Sequence, residues 1–471
     1  MRHYLLFIVP VFLLVYGCNQ TSNSADKSVY IGGQIVNPNT DYFIISKDDA
    51  AIDTLYLDQN GQFGKKINNI EEGIYSFKHS PENQVMYVEP GDSLLVWLNT
   101  LAFDESINFS GKGSQKSSFL LDLFLLNEKN NELILSYYKI KPEKFASITD
   151  SIRQSRIEKL ESLKKENDFS NDFLETAEAS INYEYYDLRE RYTFLIKKYY
   201  KEFAAKIPEG FHDYRENLDF NNEKLQSYYV YLNFIDDYLR TKSLEYCENN
   251  NIRSGKCYDL NDFDNIKRRI LLIDSLSQTP GIKNEFLNKL ASKSITLANT
   301  DKRIDSILNL TSEINYPDLQ NLKELAQIQK AYLAGKSVAE LDLLTTEGKI
   351  IEYKKLLNKP VITYTWSIYS PTHHNWQHNI IKDLRKKYPE INFVGLNIDQ
   401  GETEDWKKVV EKKNYNKNFE FQIINRDMDK STLRKYLSKM LFINKKGVIV
   451  RGDAQLNPVT FENEILEFLN K

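Results

Sequence analysis

Apolar residues recur with a period near two from Val29 to about Ser110. VYIGGQIV, YFIISK, DTLYLD, YSFKHS, QVMYVE and SLLVWLN are short strand candidates, separated by the turn-forming runs NPNT, DQNGQ and EPGD. The pattern predicts an N-terminal β-sandwich over residues 28–111. Asn60-Gly61 and Pro90-Gly91 are what tight turns need and carry no chemistry. From about Lys112 to Lys336 the period lengthens to 3.6, which predicts a helical middle region over 112–336. Ile148, Ile152, Leu160 and Leu163 mark one amphipathic helix there. Ile181, Tyr185, Leu188, Tyr192, Leu195 and Tyr199 form a stripe alternately four and three apart. Such a stripe is read as packed core with hydroxyls at its rim, against a peptide- or glycan-holding groove. Pro208, Pro280 and Pro317 fall at helix boundaries, and no repeat of fixed period is present.

Residues 337–471 alternate between short apolar runs and amphipathic stretches. VITYTW reads as a buried strand, HHNWQHNIIKDLRKKY as a helix and INFVGLNID as a second buried strand. EDWKKVVEKKN and KSTLRKYL read as helices, KMLFIN and GVIVR as a hairpin around Lys445-Lys446-Gly447, and FENEILEFLN as a closing helix. That order predicts an α/β domain in which a βαβ half precedes an antiparallel ββα half on one central sheet.

The start of the chain has a different character. MRH is followed by YLLFIVPVFLLVY, too short an apolar run to span a bilayer comfortably, and then by Gly17-Cys18. Val15-Tyr16-Gly17-Cys18 resembles the bacterial lipobox, which implies a signal peptide over 1–18 that is cleaved as Cys18 is lipidated. NQTSNSAD then reads as a flexible tether within 19–27. Asn19 does not resemble an inner-membrane retention signal, so the resemblance implies a cell-envelope lipoprotein on the outer membrane, facing the periplasm. An uncleaved anchor helix or ordinary secretion is the competing reading.

A chain of 471 residues exceeds what one hydrophobic core supports, so the protein is read as multidomain. Hydrophobic residues make up 41% and aromatic ones 13%, too much apolar material for disorder. Basic residues number 62 and acidic ones 66, mixed along the chain, which argues against nucleic-acid binding. Only Cys247 and Cys257 remain behind Cys18, an even number in an oxidising compartment, bracketing the polar run ENNNIRSGK. They are read as a structural disulfide. A catalytic pair would normally lie closer together at a helix start, and no His lies nearby in sequence to complete a zinc site.

Two resemblances now enter. Asp58 to Phe63, Gly73-Ile74-Tyr75 and Tyr87 to Ser93 resemble a small β domain found ahead of thioredoxin-like domains in Bacteroidetes envelope proteins. Leu341-Asp342-Leu343 with Glu347-Gly348-Lys349 resembles the leading hairpin of membrane-anchored thiol-disulfide oxidoreductases and their peroxiredoxin relatives. Lys359 to Trp366 resembles their central strand, Phe393 to Asp399 the next, and Leu441 to Gly447 their late hairpin. The resemblance implies a thioredoxin-like fold for 337–471.

Its chemistry does not carry over. Where the family strand ends in a pattern like Trp-Ala-x-Trp-Cys-x-x-Cys, this chain reads Trp366, Tyr369, Ser370 and His373, with serine and histidine in place of both sulfurs. The family's cis proline is matched by Ser438, before which a cis bond would cost about 2.5 to 4 kcal/mol. A serine hydroxyl can neither ionise usefully here nor form a reversible disulfide, so thiol exchange at this turn is excluded. Ser370 and His373 as nucleophile and base lack an orienting third group. Ser370 as N-cap and Pro371 at the first helical position read as an ordinary helix start. His374 and His378, four apart, with His373 beside them, have metal-ligand spacing but no acidic or cysteine partner in view, so no metal or other cofactor is assigned. Lys382, Arg385, Lys386 and Lys387 read as a solvated helix face, and Arg451-Gly452-Asp453 as a turn after a strand.

The expectation is therefore an envelope lipoprotein with a redox-inactive thioredoxin-like domain that binds or scaffolds a client protein or peptide. By the resemblance, contacts are expected from Trp366, Tyr369, Ser370, His373 and Ser438. The alternatives are a thiol-disulfide oxidoreductase using Cys247 and Cys257, and a metal-binding protein using His373, His374 and His378.

Overall fold

A computed structural model describes residues 27–48, 50–80, 82–137, 139–252, 255–424, 430–437, 439–454, 456 and 460–470. The expected signal peptide, with Cys18 and most of the expected tether, and Ser438 lie outside the described residues. The chain divides into two compact units: Met1–Leu125 with Ser170–Phe173, and Leu126–Phe169 with Leu174–Lys471.

The first unit is built from β1 (Val29–Val36), β2 (Tyr42–Lys47), β3 (Ala50–Tyr56), β4 (Gln62–Ile67), β5 (Gly73–His79), β6 (Glu82–Val88), β7 (Ser93–Asn99), the one-turn helix α1 (Phe103–Ser106) and β8 (Asn108–Lys112). They form two four-stranded sheets, ordered β4-β1-β7-β8 and β3-β2-β5-β6. Strict alternation on β7, where Leu94, Val96 and Leu98 are buried between exposed Leu95 and Trp97, sends one face into a core shared with Phe43, Ile45 and Phe77 of the other sheet. Strands β4 and β8 have no counterpart among the expected strands. In QFGKKI and NFSGK only Phe63, Ile67 and Phe109 are buried, and Gly and Lys break the apolar alternation; pairing with β1 and β7 supplies what the pattern lacks.

Helices follow: α2 (Ser114–Tyr137), α3 (Pro142–Glu166), α4 (Asn171–Tyr199), α5 (Lys201–Ala204), α6 (Tyr229–Asn249), α7 (Phe263–Leu276), α8 (Pro280–Thr296), α9 (Asp301–Glu313) and α10 (Leu319–Lys330). Pro142 and Pro280 stand in the first turns of α3 and α8, where a missing N–H costs nothing. The tyrosine stripe on α4 is mostly core. Tyr192 is buried, stacks on Phe145 with centroids 3.9 Å apart and donates its hydroxyl to the Ile140 carbonyl, whereas Tyr199 at the helix end is exposed.

The rest of the second unit contains β9 (Asp342–Thr345), β10 (Ile350–Glu352), β11 (Val361–Trp366), α11 (Pro371–Lys387), β12 (Asn392–Asn397), α12 (Thr403–Lys412), β13 (Glu420–Ile423), α13 (Lys430–Arg434), β14 (Met440–Ile443), β15 (Ile449–Ala454) and α14 (Phe461–Leu469). Seven strands make one sheet, ordered β10-β9-β13-β12-β11-β14-β15. β11, β12 and β13 run parallel, and β14 returns antiparallel to β11, so the expected βαβ and ββα halves share one sheet. All six residues of β11 are buried, as a strand covered on both faces requires. One face packs Ile362, Tyr364 and Trp366 against Ile381 of α11, Trp406 of α12 and Ile465 of α14. The other packs Val361, Val394 and Leu441 with Val338 and Tyr353.

Two sequence expectations are corrected here. Arg451-Gly452-Asp453 lies within β15 rather than in a turn, because an irregular register with β14 carries the strand on to Ala454. Gly452 is needed there, since a Cβ would come within 2.5 Å of the Tyr332 carbonyl oxygen. Arg385 is no solvated residue either: its guanidinium reaches under α11 to donate to the Phe393 carbonyl at 2.6 Å.

Candidate functional site

The expected site sits where β11 gives way to α11. The ladder with β12 ends at Trp366, opposite Asn397, and the Trp366 carbonyl accepts the Ile398 amide at 3.0 Å. The chain then turns through Ser367–Ser370 under the control of Asp399, which lies two residues beyond β12. One carboxylate oxygen accepts the Ser367 hydroxyl at 2.7 Å and the other the Ile368 amide at 2.7 Å. Asn397 Nδ2 donates to the same carboxylate at 2.8 Å, and Gln422 Nε2 donates to Asn397 Oδ1 and to the Asp399 carbonyl, each at 3.0 Å. All four side chains are buried, so the turn rests on a satisfied polar network in a low-dielectric setting, which makes it rigid.

Ser370 takes the N-cap position and Pro371 opens α11, as the sequence predicts, but the Ser370 side chain makes no capping hydrogen bond. Ahead of the helix, Ser367 Oγ accepts the Tyr369 amide at 3.1 Å. Tyr369, Ser370 and His373 are each partly exposed. The Arg434 guanidinium lies 5.9 Å from the Tyr369 ring centroid, and the His373 ring lies 5.9 Å from that of Trp376. Burial lowers the His373 imidazole from its ordinary range, with His378 adding to the effect. Trp366 is wholly buried and donates its indole N–H to Glu420 Oε2 at 3.0 Å, so it supports the turn from beneath.

Glu420 is a hub that sequence reading missed. It is completely buried on β13, with Oε1 accepting the Tyr364 hydroxyl at 2.7 Å, His378 Nε2 3.3 Å away and Arg385 Nη2 3.7 Å away. Gly395 on the neighbouring strand makes room, since a Cβ there would lie 2.2 Å from Glu420 Oε2. The alternation Phe419-Glu420-Phe421-Gln422-Ile423 was the available signal for this strand.

The other two histidines of α11, His374 and His378, are buried. His374 Nδ1 is 2.7 Å from the Tyr415 hydroxyl, His378 Nδ1 donates to the His374 carbonyl at 2.7 Å, and the Tyr415 ring stacks on His378 at 3.6 Å. Burial, with His378 close by, brings the His374 pKa down to about 4, which keeps it neutral near pH 7. Among the described residues no group of three or more metal-ligating side chains is assembled.

Cys247 and Cys257 are joined in a disulfide with Cα atoms 6.3 Å apart. Both are buried, packed with Phe194 and Leu244, and the Asn265 amide donates to the Cys257 carbonyl at 3.0 Å. That burial suits a structural link, although both residues also line a cleft with Lys197, Lys201, Glu248 and Tyr258. Among the described residues, no helix is long and apolar enough to cross a membrane.

No protein-family model matches the chain, and no curated protein does. Among solved structures, the chain is similar to the thioredoxin domain of a thiol-disulfide oxidoreductase from Bacteroides vulgatus, at 21% identity over 29% of this chain and 98% of that one, with a TM-score of 0.22. It is also similar to a thiol:disulfide interchange protein from Bacteroides sp., at 22% identity over 30% of this chain and 93% of that one, with a TM-score of 0.22.

Proposed function

We propose that the protein is an envelope lipoprotein, anchored through Cys18 to the outer membrane and facing the periplasm, whose thioredoxin-like domain over 337–471 binds or scaffolds an extended protein or peptide and carries out no thiol exchange. The observation that carries this reading is the turn after β11. It is held rigid by Asp399, stands partly exposed at Tyr369, Ser370 and His373, and offers a hydroxyl and an imidazole where the resembling oxidoreductases carry two sulfurs. A rigid, partly exposed turn beside a helix start is suited to hold a ligand without ordering cost. Ser438 is assigned to that rim by the resemblance alone, and Trp366 acts from below it.

The test is twofold. Insulin disulfide reduction is measured with the full chain and with the Cys247→Ser/Cys257→Ser variant, and binding of reduced, carboxamidomethylated lactalbumin is measured with the full chain and with Ser370→Trp. Absence of reduction in both proteins, with binding that Ser370→Trp removes, is the expected result. Reduction lost only in the cysteine variant would assign the protein to the oxidoreductases, with its centre at Cys247 and Cys257.

A further inference from the structure

A cleft of about 580 Å³ opens between α8 and the first turns of α11. Lys289 and Lys293, one turn apart on α8, line one wall; Trp376 and Gln377 line the other, and Lys435 stands beside α13. His373 also lines it, which joins the cleft to the turn described above.

Three features of this cleft ask for a ligand. Gln377 is completely buried, yet among the described residues neither its Nε2 nor its Oε1 has a hydrogen-bond partner. Leaving a buried donor or acceptor unmade costs about 1 to 3 kcal/mol, and here both lie on one side chain lining an open space. The lining also carries three lysines against the single acid Glu285. Lys289 is paired with Asp236 at 3.0 Å and Lys435 Nζ reaches Asn288 Oδ1 at 3.4 Å, whereas Lys293 has no ion pair among the described residues. Burial, and then Arg269 and Arg240, lower the Lys293 pKa, the mark of an ammonium group short of negative charge. Finally, Trp376 is 42% exposed and offers an apolar ring at the same wall.

A primary amide is matched by a group that presents a carbonyl oxygen and an N–H together, which is what a peptide unit does. We propose that this cleft binds an acidic peptide segment, with a main-chain amide on Gln377, a carboxylate on Lys293 and Lys435, and an apolar neighbour against Trp376. The assignment rests on the peptide-binding reading above and names its chemistry. The volume falls in the range of sites that enclose a few residues of a ligand.

The probe is dye-labelled Gly-Glu-Phe-Glu-Gly, followed by fluorescence anisotropy with the full chain, beside its neutral counterpart Gly-Gln-Phe-Gln-Gly. The acidic peptide is expected to bind about tenfold or more tighter than the neutral one, to weaken as salt is raised, and to lose about tenfold in the Lys293→Gln/Lys435→Gln variant. Gln377→Leu is expected to weaken binding while leaving the thermal midpoint unchanged or higher, because it removes two unmade hydrogen bonds from the empty protein. Equal binding of both peptides, blocked by Ser370→Trp but indifferent to the lysine variant, would overturn the acidic assignment and leave the wider reading standing. Binding of neither peptide nor of unfolded lactalbumin would remove both. Displacement of the peptide by inorganic phosphate at concentrations below the peptide's own Kd would make a free anion the ligand and overturn the peptide assignment.

Discussion

Asp399 accepts the hydroxyl of Ser367 at 2.7 Å while its other oxygen takes the Ile368 amide, so one carboxylate fixes the turn that follows the central strand. Asp399→Ala leaves that hydroxyl and that amide without an acceptor in a buried setting, and leaves Asn397 Nδ2 only its long contact of 3.4 Å to the Trp366 carbonyl. A loss of about 3 kcal/mol or more is expected in urea unfolding. Ser367→Ala removes one of these bonds and is expected to cost about 1 kcal/mol.

Gly395 and Glu420 are sterically coupled. Gly395→Ala alone is expected to cost about 2 to 3 kcal/mol, because the new methyl meets a carboxylate that is held from several sides. Glu420→Ala alone strands the Tyr364 and Trp366 donors and is expected to cost about 3 kcal/mol or more. In the double variant the Gly395→Ala step is expected to cost less than about 1 kcal/mol, a coupling that a double-mutant cycle reads directly. Additive losses would show that Glu420 does not occupy this space.

Lys439 brings a pH dependence on the alkaline side. It is buried, donates to Gln329 Oε1 at 3.2 Å and to the Thr296 carbonyl, and burial lowers its pKa from 10.5 to about 7. Between about pH 7 and about pH 10.5 the unfolded chain holds a proton that the folded chain has released. Stability is therefore expected to rise with pH across that window, by up to about 1.4 kcal/mol per unit, and to be independent of this group below it. Lys439→Met is expected to flatten the slope of the urea midpoint against pH.

His374 acts on the acid side. With a folded pKa of about 4 against an ordinary value of 6.5, it stays neutral in the folded protein while the unfolded chain takes up a proton. Its contribution is complete above about pH 6.5 and is lost as the pH falls toward about 4. His374→Asn is expected to reduce that part of the acid destabilisation, read as the pH dependence of the thermal midpoint.

The Cys247–Cys257 link closes a short loop, separation 10, and is expected to contribute about 2 to 3 kcal/mol. Reduction in denaturant, or Cys247→Ser/Cys257→Ser, should lower stability by that amount without altering binding of the acidic peptide. A loss of binding in the cysteine variant at temperatures where it remains folded would contradict the separation of the two sites.

Much of the fold was legible because it is written in local periodicity. VITYTW could be read as a buried strand from its β-branched and aromatic residues, and Pro280 as a helix boundary, which the structure makes the first turn of α8. What stayed hidden depends on partners distant in sequence. β13 carries Glu420 and Gln422 at buried positions, and polar residues in a four-residue segment look like a loop until Tyr364, Trp366, Asn397 and Asp399 arrive to satisfy them. The turn was misjudged in one respect for the same reason. Ser370 has the composition of a cap, but its side chain makes no capping hydrogen bond, and the side-chain acceptor in the turn is Ser367, braced by Asp399, which takes the Tyr369 amide ahead of the helix. The cleft along Gln377 depends on α8 packing near α11, which no local pattern encodes.

The pairing of β1 with β7 sets an order of events for the first sheet. Val29 to Val36 can form their own antiparallel ladder with β4 early, but their other edge is matched in parallel by Ser93 to Asn99, far along the chain. The pairing of the sheet's two middle strands therefore closes a loop of more than fifty residues, whose closure entropy opposes it. Until then β1 exposes an unpaired edge, open to mispairing with another chain. A chain cut short before Asn99 would carry β1 with that edge unpaired.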